Sequence, residues 1–399
     1  MKLALVVLGG VPREPSHGSI PVLHWLIARL VRRHEVHVFS VFGAPRPDRY
    51  RFLGATVHHA GARPTGMRTL AAILAEHRRG TFDLLHAFWV SPSGGIAAAA
   101  GALLRRPVLL HVAGGELVAM PDIGYGGRRT WRGQLGVRLA LAGATRITAA
   151  SRVMIDAVRA LGHTAERVPL GVSLDAWPAL APRPRRPGQP ARLVHVASLN
   201  PVKDQGTLVE AARLLRVWGV EFCLDIAGLD TLEGAVQALV GRLDLGSRVR
   251  FHGVLAREQL HALMAEADIL VHSSRHEAGP LVVLEAAIVG VPTVGTNVGH
   301  VAEWAPEAAV AVPPRDADAL AREIQRLLQD DERRLALARE AQRRALACDA
   351  DWTVHRFESL YAEVLNEARQ TGHDREGRPY GQSHPDSSRS PGGDRQDPS

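Results

Sequence analysis

Short apolar runs alternate with helix-forming stretches along most of the chain, and this alternation restricts the fold more than any other feature of the sequence. In the first half, the runs that favour strands are residues 3–8, 36–41, 84–87, 108–112, 146–149 and 167–169. The same alternation returns from residue 192 to about residue 312. Because alternating strands and helices build a parallel sheet with helices on both faces, each half predicts one doubly wound α/β domain.

A proline-rich segment separates the two halves. Residues 178–190 contain five prolines in thirteen residues, which is typical of a linker. A chain of 399 residues also exceeds what one hydrophobic core normally supports. We predict a first domain over residues 1–177 and a second over 191–367, which closes with helices from residue 316. Residues 368–399 have no aliphatic side chain beyond residue 370, which predicts a disordered tail.

Two glutamates flank the segment that is most informative about function. Residues 267–274 predict a buried strand that ends in a polar loop, an apolar helix follows from residue 281, and residues 290–296 predict the next strand. Pro280 favours a helix start, where free amides and the helix dipole attract an anion such as phosphate. Glu277 and Glu285 can accept hydrogen bonds from the hydroxyls of a sugar or a ribose. Such a loop lies at the sheet edge where open α/β sheets bind ligands.

A second strand, loop and helix start over residues 192–206 carries an unexpected lysine. The chain has 48 basic residues, of which Lys2 and Lys203 are the two lysines. Lysine therefore stands out at position 203 in a chain that otherwise uses arginine. A compact ammonium binds a diphosphate as a point charge, whereas the planar arginine fork needs more room. Lys203 is accordingly predicted to contact phosphate.

Both segments resemble the retaining glycosyltransferases of family 4. Residues 274–280 read Ser-Arg-His-Glu-Ala-Gly-Pro, close to the family signature Ser-Arg-x-Glu-Gly-Phe-Pro, and residues 290–292 supply its Gly-Val-Pro. The resemblance implies the GT-B fold, in which two Rossmann-like domains face each other across a cleft. It also implies that a hexose-type sugar moves from a nucleotide-diphosphate sugar to an acceptor hydroxyl, in the synthesis of a glycan, a glycolipid or a natural-product glycoside.

The resemblance also implies the residues of the donor site. They are Ser198, Lys203, Glu277, Gly279, Pro280, Leu281, Val282 and Glu285. Lys203 and the amides near Leu281 would stabilise the leaving diphosphate, Glu277 would orient the transferred sugar, and Glu285 would bind the ribose. Two positions depart from the family, because Ser198 replaces the usual arginine and Gly279 replaces an aromatic residue.

The loops of the first domain resemble the acceptor and phosphate loops of the family less closely. The residues concerned are Gly9, Gly10, Gly18, Gly114, Gly115 and Glu116. Family members carry a site histidine where this chain has Ala113, and His111 lies two residues earlier on the same predicted strand face. His111 is therefore either a catalytic-site histidine or a buried strand residue.

Other functions fit the sequence less well. The Gly-x-Gly-x-x-Gly fingerprint of NAD-binding proteins is missing. The Asp-x-Asp triplets at 316–318 and 349–351 precede or enter predicted helices, where aspartate is an ordinary N-cap, so we expect neither a required metal nor a cofactor. Two alternatives remain: another reaction on the same fold, such as that of a nucleotide-sugar epimerase or a phosphorylase, or a protein that binds nucleotide sugars without turnover.

Charge is distributed unevenly between the halves. Residues 1–170 contain 22 Lys/Arg and 9 Asp/Glu, a balance of +13, and the remaining 26 and 32 give −6. With no nucleic-acid motif visible, the basic half favours an anionic membrane surface or a lipid-linked acceptor, and an arginine-rich composition without function is the alternative. A small-molecule acceptor also stays open. The short apolar run 3–8 suits a first strand, which predicts a cytoplasmic protein, either free or peripheral at the inner face of the membrane.

Overall fold

The first domain is an eight-stranded sheet with helices on both faces. The computed structural model describes residues 1–13, 19–43 and 46–376. The strands are β1 (Lys2–Val7), β2 (Glu35–Ser40), β3 (Pro47–Phe52), β4 (Ala55–Ala60), β5 (Leu84–Phe88), β6 (Val108–Val112), β7 (Arg146–Ala149) and β8 (Glu166–Arg167). The helices are α1 (Pro21–Leu30), α2 (Thr65–Arg79), α3 (Gly95–Leu104), α4 (Trp131–Ala142) and α5 (Arg152–Arg159). The order β3-β4-β2-β1-β5-β6-β7-β8 is parallel except for the pair β3 and β4.

All six strands predicted in this half are present. The structure also contains an antiparallel hairpin of β3 and β4 that we did not predict. Its turn places Leu53 at φ 50° and Gly54 at φ 91°. A two-residue hairpin turn with positive φ at both positions usually announces itself as Asn-Gly or Asp-Gly. The Leu-Gly turn lacks that signal, and for this reason the sequence did not reveal the hairpin.

The second domain is a fully parallel six-stranded sheet. Its strands are β9 (Ala191–Val196), β10 (Phe222–Ala227), β11 (Val249–Gly253), β12 (Ile269–His272), β13 (Thr293–Thr296) and β14 (Val310–Val312). Its helices are α6 (Gln205–Val217), α7 (Ala235–Arg242), α8 (Arg257–Ala265), α9 (Leu281–Ile288), α10 (Gly299–Trp304), α11 (Ala317–Gln329) and α12 (Asp331–Ala347). The strands lie in the order β11-β10-β9-β12-β13-β14. From β9 the chain adds β10 and β11 on one side of the sheet, and it then adds β12, β13 and β14 on the other side. The ligand crevice of such a sheet lies at the carboxyl ends of the two strands where the order reverses, β9 and β12.

The last helix, α13 (Ala350–Glu376), returns to the first domain, contrary to our prediction that the closing helices belong to the second. The hydroxyl of Tyr361 lies 2.7 Å from Nδ1 of the buried His86, and Asp351 pairs with Arg29 at 2.8 Å. Phe357 packs in the same apolar cluster as the core of β1 and β5. The helix also extends past the predicted limit at residue 367, so residues 368–376 are helical and the prediction of a disordered tail was wrong there. Residues 377–399 lie outside the described part of the chain.

The segment 178–190 has no regular secondary structure and packs along the second domain. Arg183 donates to the carbonyl oxygen of Ala265 at 3.2 Å and pairs with Asp268 at 3.4 Å. The buried guanidinium of Arg334 donates to the carbonyl oxygens of Arg183 and Asp268, at 2.6 and 3.3 Å. This connection is therefore held in place by arginines that satisfy backbone carbonyl groups.

Candidate active site in the interdomain cleft

The two loops singled out by the sequence meet at the reversal point of the second sheet. The loop after β9 and the loop after β12 are joined by hydrogen bonds, from Ser273 Oγ to the carbonyl oxygen of Lys203 at 2.8 Å and from the Arg275 amide to that of Val202 at 2.7 Å. Asp204, at φ 49°, ends the first loop and caps α6. Because parallel strands bring their carboxyl ends to one edge, residues about 70 positions apart in sequence form one site.

Lys203 and Glu277 form the centre of this site. The Lys203 ammonium lies 2.5 Å from Oε1 of Glu277, and the same oxygen accepts from Ser274 Oγ at 2.8 Å and lies 3.4 Å from Nε2 of His272. Burial alone would raise the pKa of Glu277, but the attraction of Lys203 and the contacts with His272 outweigh burial and hold that pKa well below its usual range. Glu277 is therefore a carboxylate, and all three partners meet its Oε1.

Helix α9 directs free amides toward the same place. Pro280 occupies its N-cap position in extended conformation, and Val283 is the first residue whose amide reaches back, to the Pro280 carbonyl oxygen at 3.2 Å. The amides of Leu281 and Val282 precede it and cannot bond within the helix. Together with Lys203 they form a positively polarised edge suited to a diphosphate.

Glu285 lies one turn inside α9 in an environment unlike that of Glu277. Among the residues that the structure describes, none donates a hydrogen bond to its half-buried carboxyl group, and Arg257 is the charge that acts on it. Burial raises the pKa of Glu285 to about 7, against a small opposing attraction from Arg257. A carboxyl group in a cleft with a raised pKa and no partner is typical of a ligand-binding position.

Gly279 is explained by its neighbours. A Cβ atom at this position would lie 2.8 Å from the Cβ of Ala150 in the first domain and 3.0 Å from Nε2 of His300. The His300 ring is fully buried, and burial lowers its pKa to about 3, so the ring is neutral. An aromatic residue at position 279, which the family prefers, has no room beside this ring. Ser151 also donates to the carbonyl oxygen of Ala278 at 2.6 Å, so the two domains touch here.

Ser198 and the glycines after β1 lie at the two walls of the cleft. Ser198 is exposed at the end of β9, and its carbonyl oxygen accepts from the Gln205 side chain at 3.2 Å. Gly9 follows β1 directly, and Gly10 has φ 84°, where a Cβ atom would collide with Ile20. The Gly10 carbonyl oxygen is bonded to the Ile20 amide at 3.2 Å. Gly18 lies outside the described residues.

The buried carboxyl group of Glu116 holds the loop after β6 together through hydrogen bonds. This buried carboxyl group accepts from the Val90 amide at 2.9 Å, and burial raises its pKa against the hydrogen bonds of several loop amides. Gly114 lies against Glu116 and Trp89, and a Cβ atom on Gly115 would overlap the ring of Tyr125. Gly114, Gly115 and Glu116 therefore shape the first-domain wall.

His111 does not reach the cleft, which corrects its assignment as a catalytic residue. The side chain is fully buried in β6, its Nδ1 lies 2.9 Å from Oγ1 of Thr148, and its ring packs edge-on against Phe357 of α13. Burial lowers the pKa of His111 to about 3, so the ring is neutral. His111 is a buried strand residue, which was the alternative interpretation of this position.

Tyr125 is a cleft residue that our sequence analysis missed. It belongs to a small hairpin in which the Met120 and Tyr125 backbones exchange hydrogen bonds of 2.8 and 3.0 Å. Burial, followed by the charges of Glu277 and Glu116, raises the pKa of Tyr125 to about 12. Asp122 in the same hairpin pairs with Arg275 of the second domain at 2.8 Å. The available signal was a lone aromatic residue between Gly124 and Gly126.

One group of potential metal ligands occurs in the described part of the chain, and it lies away from the cleft. His37, His58 and Glu76 bring three ligand atoms within 4.8 Å of one another. The cations Lys2 and Arg49 already lie 3.6 and 3.8 Å from Glu76, so its charge is balanced internally. Among the described residues, no helix combines the length and the hydropathy that crossing a membrane requires.

Comparison with known proteins agrees with this architecture. Residues 17–171 match the family model described as glycosyl transferase 4-like domain, and residues 179–344 match that of glycosyl transferases group 1. A glycogen synthase of Mycobacterium tuberculosis is 33% identical over 184 residues, which are 46% of this chain and 44% of that protein. A D-inositol 3-phosphate glycosyltransferase of Salinispora tropica is 33% identical over 186 residues, covering 44% of this chain and 38% of that protein. The chain thus spans less than half of these relatives.

Solved structures resemble the whole fold. Sucrose-phosphate synthase from Thermosynechococcus elongatus superposes with a TM-score of 0.77 at 21% identity, covering 92% of this chain and 99% of that one. Anabaena HepE in complex with UDP-glucose superposes with a TM-score of 0.69 at 19% identity, covering 92% of this chain and 100% of that one. Both structures share the two-domain arrangement described above.

Proposed function

Because the chain belongs to the group 1 glycosyltransferases of family 4, which have the GT-B fold, we propose that it transfers a sugar from a nucleotide-diphosphate donor to an acceptor hydroxyl with retention of configuration. The observation that carries the proposal is the contact between Lys203 and Glu277, three residues before the N-cap of α9. A cation, an oriented carboxylate and a helix N-terminus are the groups that a departing diphosphate and a hydroxylated sugar require.

Each group has a distinct proposed task. Lys203 and the amides of Leu281 and Val282 bind the diphosphate and stabilise the negative charge that develops as its bond to the sugar breaks. Glu277, already ionised and held by three partners, accepts hydrogen bonds from sugar hydroxyls and so orients the reacting carbon. The acceptor oxygen attacks on the face from which the diphosphate leaves, and its proton passes to the departing phosphate oxygen, so no covalent intermediate with the enzyme is needed. The proposal includes no metal.

Glu285 is proposed to bind the ribose of the nucleotide. No described residue donates a hydrogen bond to its carboxyl group, which leaves both oxygens available, and two neighbouring ribose hydroxyls can donate to one carboxylate. Such donation favours the ionised form and would lower the raised pKa of Glu285. Donor binding would therefore release a proton near neutral pH.

The decisive experiment is a donor screen followed by a transfer assay. Thermal shift against UDP-, GDP- and ADP-sugars identifies the base, and UDP-glucose is the natural first donor because the structure of the similar HepE contains it. The product from the best donor is then examined by NMR for its anomeric configuration, with and without EDTA. Transfer with retention that is insensitive to EDTA supports the proposal, whereas an inverted anomer contradicts it.

The exchanges at Ser198 and Ala113 favour one second candidate, a protein that binds a nucleotide sugar without turnover. Both residues stand where the family has larger polar side chains. In that case a donor would raise the melting temperature, yet neither transfer nor hydrolysis would follow with any acceptor. Release of epimerised sugar or of sugar phosphate would instead identify another reaction on this fold.

A further inference from the structure

Helix α4 exposes a stripe of large apolar side chains on the first domain. Trp131, Leu135 and Leu139 are four positions apart and are 69%, 48% and 61% exposed. Residues at this spacing share one face of a helix. Val137 and Leu141 point the other way and are buried in the domain core. The stripe is therefore not required to hold α4 on the sheet.

The neighbouring helix α3 carries another exposed apolar side chain. Leu103 in its last turn is 64% exposed. The two helices are in contact, because a Cβ atom on Gly143, at the end of α4, would lie 2.6 Å from the Cβ of Ala98 in α3. An apolar surface of this kind on a folded domain usually marks an interaction site.

Several arginines on α4 and shortly before it pair with no acidic side chain among the described residues. These four are Arg128, Arg129, Arg132 and Arg138. Arg128 and Arg129 also donate to the carbonyl oxygens of Leu117 and Gly126, at 3.5 and 3.1 Å. Within the described residues none of the four forms an ion pair, and the Arg132 guanidinium lies 5.3 Å from the centre of the Trp131 ring. In two other adjacent arginine pairs of the first domain, one member meets a carboxylate, since Arg33 pairs with Glu358 at 3.1 Å and Arg79 with Glu76 at 3.3 Å.

We propose that this surface, formed by Trp131, Leu135 and Leu139 of α4 with Arg128, Arg129, Arg132 and Arg138, docks onto an anionic membrane. The apolar side chains would enter the boundary between headgroups and acyl chains, and the guanidinium groups would bind lipid phosphates. Charge complementarity decides for a membrane over a protein partner. A three-residue stripe spans only about 12 Å of helix, too little for a stable dimer, whereas an arginine rim without acids matches a lipid surface.

The surface lies next to the proposed active site. Residues 120–125 form the hairpin that carries Asp122, which is paired with Arg275 across the cleft at 2.8 Å, and Thr130 caps α4 shortly afterwards. A Cβ atom on Gly127 would lie 2.7 Å from the carbonyl oxygen of Glu116, so this connection packs on the cleft wall. An acceptor anchored in the membrane would thus be presented beside the cleft. The docking itself rests on the surface of α4 and is independent of the proposed reaction.

Vesicle co-sedimentation of the full chain tests the proposal. Vesicles of phosphatidylcholine with about one-third phosphatidylglycerol should bind the protein at low salt, while pure phosphatidylcholine vesicles and high salt should not. Changing Leu135→Ser and Leu139→Ser together should abolish binding. Changing Arg132→Gln and Arg138→Gln together should lower the partition coefficient by roughly tenfold or more, because each basic residue near the surface adds to the attraction.

Matched controls come from the second domain. Val217→Ser removes an exposed apolar side chain of α6, and Arg242→Gln with Arg339→Gln removes two exposed arginines that form no ion pair with a described residue. These variants should bind like the parent. Trp131 is the most exposed of the seven tryptophans, so its emission should shift to the blue with anionic vesicles, and Trp131→Phe should remove the shift.

Three results would overturn the proposal. The parent could stay in the supernatant with anionic vesicles at low salt, the α4 variants could bind as well as the parent, or the control variants could lose as much binding. Light scattering tests the other candidate partner of this surface, a second copy of the chain. A dimer that the Leu135→Ser and Leu139→Ser variant disrupts would assign the surface to self-association instead.

Discussion

Glu285→Gln should stabilise the protein at neutral and alkaline pH, and this effect can be measured without any ligand. In the folded protein, burial raises the pKa of Glu285 from 4.5 to about 7. Between pH 4.5 and about pH 7, the folded state therefore keeps a proton on Glu285 that the unfolded chain has already lost. Ionising the carboxyl group costs free energy in the folded protein, because no described residue donates a hydrogen bond to it. Glutamine has nearly the same shape and cannot ionise.

The sign and size of the effect follow from proton linkage. A folded state that binds more protons than the unfolded state loses stability as pH rises, here between pH 4.5 and about 7. A shift of this size corresponds to about 3 kcal/mol at 1.36 kcal/mol per pKa unit, and this is the upper limit for a half-buried group. Below pH 4.5 the carboxyl group is protonated in both states, so the pH-dependent difference vanishes there.

Urea unfolding of both proteins from pH 4.5 to 8.5 provides the measurement. The free energy of unfolding of the variant minus that of the parent should grow with pH by roughly 1 to 3 kcal/mol and level off above about pH 7.5. The low-pH end of each series serves as its own control. Parallel pH profiles would refute the argument, because they would mean that Glu285 ionises alike in the folded and unfolded chains. A stability difference that shrinks as pH rises would contradict the predicted sign of the effect.

Three further predictions concern the residues around the diphosphate and the sugar. Lys203→Ala should weaken donor binding by about 1.5 to 3 kcal/mol in calorimetry, since it removes a charge-assisted bond to phosphate, and unchanged affinity would refute the assignment. Glu277→Gln should mainly lower kcat while leaving the affinity for the free nucleotide near that of the parent; a loss of nucleotide affinity alone would contradict the role in sugar orientation. Tyr125→Phe keeps the ring over Gly115 and should preserve the melting temperature while lowering kcat/KM about two- to tenfold, as expected if its hydroxyl makes one neutral hydrogen bond to the substrate. An unaltered kcat/KM would assign Tyr125 to packing alone.

Much of the second domain and its site was predictable from sequence because the signals are local. Pro280, Glu277 and Glu285 belong to one loop and helix, and Lys203 follows another strand of the same sheet. Strand order brings such loops together in any parallel doubly wound domain. The structure confirms the fold class and places Lys203 2.5 Å from Glu277, although their separation in sequence is large.

The first-domain wall was harder to predict because its residues act through distant contacts. His111 has the same local surroundings in sequence whether its ring faces the cleft or the core. The position of α13 decides the matter, since Phe357 packs against the His111 ring. Tyr125 gained its significance only from its closeness to Glu277 of the other domain.

The sequence by itself determined the two parallel-sheet domains, the proline-rich connection and the loops after β9 and β12, because strand and helix periodicity and turn residues are properties of neighbouring positions. The tertiary structure decided which domain receives α13, why Gly279 has no side chain and which arginines meet a carboxylate. An amphipathic helix such as α13 carries an apolar face that either domain could cover, and Gly279 is explained only by Ala150 and His300. Arg33 and Arg132 look alike in sequence, yet only Arg33 meets a carboxylate in the described structure, Glu358, because ion pairing depends on what the fold places opposite each charge.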